Sequence, residues 1–243
     1  MDRTTTPARV ALTGEIATTP RPLAAYRDMF LLDDEQLRGG PVLDCPAGAS
    51  PFGAQVRALG GTAVSVDPAY LDPDGLVTRA RADVERVVAW QRAAPDGFDW
   101  SYLGSPDRVH DLWTGAVDEF AADFALDDNR YVAATLPELP FPDGHFALTV
   151  SGFLLFVYPD LLDLDAHRAA IVELARVTRG EVRVFPLHDT TGMPYRQLDR
   201  LRSCLHDSGV STAIRTAACS YTPLPGGDRM LVCRSRGGLA SRR

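Results

Sequence analysis

The sequence predicts an α/β fold: a doubly wound, seven-stranded mixed sheet with an antiparallel last strand and a helical insertion between strands 2 and 3. Three observations lead there. Short apolar, strand-like runs alternate along the chain with segments of helical period. The first strand–helix–strand unit, from Pro41 to Asp67, takes about 26 residues, enough for the crossover that parallel strands require. The last two strand-like runs, Ser211 to Cys219 and Arg229 to Arg234, are joined by a loop too short for a crossover helix, so they pair antiparallel.

Taken in order, Pro22 to Phe30 reads as a short helix with Leu23, Tyr26 and Phe30 on one face. Pro41-Val-Leu-Asp-Cys45 is a short buried strand. A Pro/Ala/Gly turn follows, then a helix over about Phe52 to Leu59 that Gly60-Gly61 stops. Thr62 to Asp67 alternates into a second strand ending on an acid. Tyr131-Val-Ala-Ala is a weak third strand and Phe146 to Ser151 a stronger fourth. Asp165 to Val177 repeats apolar residues at 166, 170, 171, 174 and 177, the period of an amphipathic helix. Glu181 to Phe185 is the fifth strand, and Tyr195 to Ser208 a helix closed by Gly209. The expected organisation is one domain over 20–236, with its insertion at about 70–130, between a flexible leader (1–19) and a flexible tail (237–243).

From Asp67 to Tyr131 the chain runs 64 residues, far more than one crossover helix needs. Trp90, Trp100 and Trp113 fall there, with Phe98, Tyr102, Phe120 and Phe124. Two readings fit: extra helices packing their own aromatics, or a lid or wall of a substrate pocket, a role long insertions often take.

Composition removes several classes. All 25 basic residues are arginine, so Schiff-base chemistry on an internal lysine and a P-loop with its phosphate-binding lysine are excluded. A net charge of −7 argues against a broad nucleic-acid-binding face, although arginines 234, 236, 242 and 243 cluster at the chain end. The four cysteines, 45, 204, 219 and 233, form no CxxC pair, and no His/Asp set has metal-ligand spacing, so neither a metal site nor a disulfide frame is expected. No run is apolar enough to span a membrane, and MDRTTTPARVALTG lacks a signal-peptide core. The expectation is a cytoplasmic protein; its oligomeric state stays open.

The chemistry-bearing stretch is Val42-Leu-Asp-Cys-Pro-Ala-Gly-Ala-Ser50, where strand one meets helix one. In doubly wound sheets this turn faces the crevice that takes nucleotide-like ligands. Gly48 permits close backbone approach, and the helix N-terminus that follows is expected to supply free N–H groups. Asp67, 19 residues beyond Gly48, stands at the end of strand two, where a carboxylate can accept both hydroxyls of an adenosyl ribose.

These residues resemble motif I of the class I S-adenosylmethionine-dependent methyltransferases, which runs apolar-apolar-Asp-x-Gly-x-Gly-x-Gly. Val64-Ser-Val-Asp67 is similar to the family's acid after strand two. Leu139-Pro-Phe-Pro-Asp-Gly-His-Phe-Ala147 is similar to its Leu-Pro-Phe-x-Asp-x-x-Phe-Asp segment, and Glu173 with Arg176 to its Glu-x-x-Arg helix. The resemblance covers about residues 20–235 apart from the insertion. It implies a Rossmann-like methyltransferase fold with S-adenosyl-L-methionine as cofactor. The cofactor would lie over Asp44, Cys45, Pro46, Ala47, Gly48 and Ser50 with its ribose on Asp67. Adenine would sit near Pro68, with Thr135 and Leu136 on its other side, and Tyr26, Ser151 and Phe153 would complete the site. Motif I departs from the family at Pro46 and Ser50, which replace glycines, and Ala147 replaces the family's Asp. Proline fixes φ and removes one donor from the turn. A variant loop that still binds cofactor and a fold that has lost it, a non-catalytic methyltransferase-like binding protein, both remain open.

Strand four lacks the Asn/Asp-Pro-Pro-Tyr that the family uses on planar amides and base nitrogens. Phe153-Leu-Leu-Phe-Val-Tyr158 instead offers an apolar wall, explained by core packing or by an aromatic beside the sulfonium methyl. The expected acceptor is therefore a small, partly apolar metabolite, with no nucleic-acid or membrane partner. Phe30, Trp113 and Phe156 are its candidate contacts, and Tyr26 and Phe30 a candidate lid. His188, Asp189 and Tyr158 are the candidate catalytic residues, since a base is needed only where the nucleophile must lose a proton. His188-Asp189 reads equally as a surface histidine beside an acid. His110 and His167 read as structural. A nicotinamide-dependent oxidoreductase would want Gly-x-Gly-x-x-Gly, which Pro46-Ala-Gly-Ala-Ser-Pro51 matches poorly.

Overall fold

In a computed structural model, which describes residues 16–126, 129–158, 161–224 and 226–237, the strands β1 (Pro41–Asp44), β2 (Thr62–Val66), β3 (Tyr131–Val132), β4 (Phe146–Gly152), β5 (Thr178–Phe185), β6 (Val210–Thr216) and β7 (Arg229–Ser235) form one sheet in the order β3-β2-β1-β4-β5-β7-β6. β1 pairs in parallel with β2 and β4, and β4 with β5. β7 runs antiparallel between β5 and β6. This is the Rossmann-like methyltransferase arrangement that the sequence predicts, antiparallel last strand included.

Helices α1 (Leu23–Phe30) and α3 (Phe52–Ala58) cover one face, and α7 (Leu164–Val177) and α8 (Leu198–Asp207) the other. Between β2 and β3 come a 3-10 turn (Pro68–Leu71), α4 (Pro73–Ala93), α5 (Trp100–Leu103) and α6 (Pro106–Phe124). α4 and α6 start the way their sequences require: Asp72 and Ser105 cap the first turns, and Pro73 and Pro106 sit where no N–H is needed. They pack a core of their own, including Leu76, Val88, Trp113 and Phe120.

Several boundaries differ from expectation: β3 is only Tyr131–Val132, α8 starts at Leu198 rather than Tyr195, and three further differences have local reasons. α2 (Asp34–Arg38) was not predicted; its single buried residue, Leu37, gives no period, but Asp33 and Gln36 close a capping box. α7 runs without a loop into β5, which starts at Thr178 rather than Glu181 because Thr178 already pairs with Phe146 of β4, while its hydroxyl bonds back to Leu174 O at 2.6 Å. The register slips between Phe146 and Leu148 there, and Gly180 lets β5 pass a backbone oxygen of Ala147 that would stand 2.1 Å from any Cβ. β6 ends at Thr216 rather than Cys219, since β7 supplies partners only that far. Of the expected leader, residues 1–15 lie outside the described residues, as do 238–243 of the tail. No helix is long and apolar enough to cross a membrane among the described residues.

Candidate functional site

The crossovers diverge on either side of β1 and β4, so the carboxyl ends of β1, β2 and β4 open into a crevice. A cavity of about 600 Å³ fills it. Cys45, Pro46, Ala47 and Gly48 after β1, Asp67 and Pro68 after β2, Thr135 and Leu136 after β3, and Gly152 and Phe153 at the end of β4 line this cavity together with Tyr26.

Asp67 organises its near wall. Its Oδ2 accepts the Gly48 N–H and its Oδ1 the Ala69 N–H, both at 2.9 Å. Burial lifts its pKa above the usual carboxylate value, against the pull of those two amides. Gly48 needs its glycine: φ is +54°, and Thr18 lies 3.4 Å from where a Cβ would be. Tyr70, at the start of the insertion, donates to Gly48 O at 2.9 Å and stacks on Phe120. The insertion thus buttresses the motif turn.

Several of the turn's amides are already engaged inside the protein. Cys45 N–H goes to Val150 O, Ala47 N–H to Val66 O, Gly48 N–H to Asp67, and Phe52 N–H to the Ser50 hydroxyl. The Ser50 hydroxyl itself donates to Arg21 O. Asp67, with one amide on each oxygen, keeps a second lone pair on each for a ligand at this wall.

A second, smaller cavity of about 80 Å³ adjoins the first and shares Ala17, Thr19, Arg21 and Phe153 with it. Trp90, Phe98, Trp113, Tyr158, His188 and Tyr221 are among its other lining residues. His188 Nδ1 faces the carbonyl oxygen of Asp189 at 2.8 Å. A carbonyl only accepts, so Nδ1 carries the proton and Nε2 is left as a bare lone pair, buried and without a partner. Burial lowers the imidazole pKa, against the smaller raising effect of Asp189, so the ring is a neutral base.

The structure brings most of the expected residues together, in two groups. Tyr26, Cys45, Pro46, Ala47, Gly48, Asp67, Pro68, Thr135, Leu136 and Phe153 line the large cavity. Trp113, Phe153, Tyr158, His188 and Asp189 line the small one. Others are corrected. Asp44 lies beneath the large cavity, fully buried, accepting the Tyr26 hydroxyl at 2.9 Å. Burial holds the Asp44 carboxyl well above the ordinary range, the Tyr26 bond opposing and the charge of Asp67 reinforcing the shift. Ser50 and Ser151 are buried and line neither cavity. Phe30 packs edge-on to Phe185, and Phe156 packs on His167 and Tyr195; both are core residues, because the apolar face that carries each turns onto the sheet or its helices. Tyr26 stacks on Phe52 at 4.2 Å, so neither it nor Phe30 is a lid. The Asp189 carboxylate does not touch His188; it caps its own loop through Thr191 and Met193.

The sequence reading missed the segment that roofs both cavities. Ala17 N–H donates to the Tyr158 hydroxyl at 3.0 Å and Thr18 N–H to Asp83 of α4 at 2.8 Å. Arg21, between Pro20 and Pro22, turns inward beneath this strap and is 6% exposed. The one available signal was an arginine fixed between two prolines, just past the stretch taken as leader. Among the described residues no group of three or more His, Cys, Asp or Glu side chains is placed to hold a metal.

No protein-family model matches the chain. A curated relative, "Uncharacterized protein MJ0045" of Methanocaldococcus jannaschii, is 26% identical over 211 residues, which cover 86% of this chain and 91% of the relative. Among solved structures the chain is similar to magnesium protoporphyrin IX methyltransferase (ChlM) from Synechocystis PCC 6803 with bound SAM, at 16% identity and a TM-score of 0.47, over 88% of this chain and 78% of that one. It is also similar to a putative S-adenosyl-L-methionine-dependent methyltransferase from Methanococcus maripaludis, at 12% identity and a TM-score of 0.45, over 88% and 87% of the two chains. Likenesses of this size concern the course of the backbone; the chemistry must be argued from the residues.

Proposed function

We propose that the protein transfers a methyl group from S-adenosyl-L-methionine to a small, partly apolar metabolite by in-line displacement. The observation that carries this reading is the placement of Asp67: a half-buried carboxylate at the end of β2, beside the positive-φ Gly48, on the wall of a cavity of about 600 Å³. That volume lies within the ~300–1,000 Å³ typical of small-molecule sites.

The residues present fit the cofactor. Each Asp67 oxygen already accepts one amide and keeps a lone pair for a ribose hydroxyl. Pro68, Thr135 and Leu136 offer a mainly apolar slot for a flat base, and Cys45 to Gly48 border the remainder. When bound, S-adenosylmethionine supplies a methyl group on a positively charged sulfur. Phe153, the wall common to both cavities, is placed to separate cofactor from acceptor and to exclude water. His188 Nε2 would accept the proton of an acceptor hydroxyl or amine, the sulfur of the cofactor departing as neutral S-adenosylhomocysteine when its bond to the methyl carbon breaks. Tyr158 stays with the strap through Ala17, and Asp189 orients the imidazole through its backbone carbonyl.

Calorimetric titration with S-adenosylhomocysteine and, separately, NADPH tests the reading. It predicts saturable one-to-one binding of the first and none of the second. NADPH binding would make the chain an oxidoreductase. Absence of S-adenosylhomocysteine binding up to about 1 mM, a free energy of only ~4 kcal/mol, would favour a binding protein that has lost the cofactor.

A further inference from the structure

Arg21 carries a charge that no carboxylate balances among the described residues. Its side chain sits among aromatic faces, with Cζ 3.4 Å from the Phe153 ring centroid, 5.1 Å from Trp113 and 5.3 Å from Tyr221. Nη1 donates to the Thr19 hydroxyl, and Nε has no hydrogen-bond partner. The buried Arg183 and half-buried Arg57 each meet an acid, Glu181 and Asp123, but no carboxylate lies within ion-pair distance of Arg21 among the described residues. Cation–π contacts return less than burying an unpaired cation costs.

Two further buried polar atoms on the small cavity share this condition. Gln91 Oε1, on α4, and His188 Nε2, after β5, are unpartnered, although their residues are 3% and 7% exposed. Other buried polar atoms of the fold also lack a partner, but these three, from three separate elements, gather on one cavity, where a ligand can reach and complete them. Gln91 and His188 line the small cavity and not the large one, and Arg21 lines both, so the three meet on the small, acceptor side.

We infer that the acceptor is an anionic small molecule whose carboxylate is held by the Arg21 guanidinium within its aromatic cage, while its hydroxyl or amine faces Gln91 and His188. This rests on the reading of the large cavity as the cofactor site. The volume of about 80 Å³, less than the ~150 Å³ cavity that takes a benzene ring, restricts the inner part of the acceptor to a compact group, with any remainder extending past Phe153. Guanidinium and carboxylate form the strongest class of hydrogen-bonded pair, and here they would do so out of water.

The test uses the compact 2-hydroxypropanoate and its neutral isostere 2-hydroxypropanamide as probes, titrated calorimetrically with and without saturating S-adenosylhomocysteine. Wild type, Arg21→Met and Arg21→Lys are compared. The inference predicts that wild type prefers the carboxylate over the amide by about tenfold or more. Arg21→Met loses that preference, Arg21→Lys keeps part of it, and S-adenosylhomocysteine affinity changes by less than about threefold in Arg21→Met. Should Arg21→Met fail to fold, Arg21→Lys and Gln91→Leu carry the comparison, each expected to weaken the carboxylate. Equal binding of the two probes, binding of neither, or a preference that survives Arg21→Met overturns the inference. So does a tenfold loss of S-adenosylhomocysteine affinity in Arg21→Met with the carboxylate unaffected, which would assign the guanidinium to the cofactor. Arg21-dependent carboxylate binding in a protein that binds no S-adenosylhomocysteine would leave the anion site standing and remove the cofactor reading.

Discussion

Replacing Asp67 by alanine isolates the interaction on which the cofactor site depends. In the free protein its two oxygens hold the Gly48 and Ala69 amides at 2.9 Å each. A ribose diol would add one hydrogen bond to each oxygen. Bonds to a charged group contribute ~1.5–3 kcal/mol apiece, so two set a ceiling of ~3–6 kcal/mol. Both oxygens are already shared with amides, and the carboxylate loses water when the ligand arrives, so the expected loss is ~1–3 kcal/mol, a roughly 5- to 150-fold rise in Kd. The assay is calorimetric titration of S-adenosylhomocysteine and its 2′,3′-dideoxy analogue against wild type and Asp67→Ala. The dideoxy analogue should bind wild type more weakly and lose little more in the mutant. Because burial raises the Asp67 pKa, affinity should also fall with decreasing pH at values above the ordinary carboxylate range, and this dependence should vanish in Asp67→Ala. Thermal melts guard against the loss of the two amide contacts, worth ~1 kcal/mol each. An unchanged Kd for S-adenosylhomocysteine in a folded Asp67→Ala protein would refute the assignment.

Other consequences follow from the same geometry. The lowered pKa of His188 means that the folded protein binds its proton less tightly than the unfolded chain, so stability should rise with pH from the folded value up to about 6.5. Denaturant melts of wild type and His188→Gln between pH 5 and 7 should show that rise only in wild type, and an NMR titration should place the His188 ring below 6.5; a normal or raised value would contradict the neutral base. Asp44 has the opposite sign. Its raised pKa makes the folded state prefer the protonated form, so stability is lost as pH climbs from about 3.8 to the folded value, and Asp44→Asn should be more stable than wild type at pH 7. A lower denaturation midpoint for Asp44→Asn would show that the charge is compensated. Arg176 ties α7 to the segment before β4 through Phe141 O, Asp143 and Glu173, and Glu173 also accepts the Leu139 N–H at 2.7 Å. Arg176→Ala should cost ~1–3 kcal/mol in denaturant unfolding; a change under ~0.5 kcal/mol would place that clamp among surface pairs of no consequence.

The strand order was legible because hydrophobic runs, the Gly60-Gly61 stop and the length of the first crossover are local and period-bound. Asp67 was legible for the same reason: an acid at the end of strand two faces the crevice whatever the rest of the chain does. Phe30 and Phe156 were not, because periodicity marks a residue as apolar-facing without saying whether the neighbour is a helix or a cavity. The insertion divides between its two readings: Tyr70, Phe120 and Phe124 pack among themselves, while Trp90, Phe98 and Trp113 line the small cavity. His188 was singled out beside the right residue for the wrong contact, since its partner is the Asp189 backbone carbonyl, which no sequence pattern encodes. Arg21 escaped because its environment comes from α6, the end of β4 and the segment after β6, all distant in sequence.

A crystal structure of the protein with S-adenosylhomocysteine tests the central claim most directly. The account predicts the ribose hydroxyls within hydrogen-bond reach of both Asp67 oxygens, adenine between Pro68 and the Thr135–Leu136 turn, and the sulfur turned toward Phe153. A ligand seated away from Asp67, or a crevice left empty at saturating concentration, would contradict it.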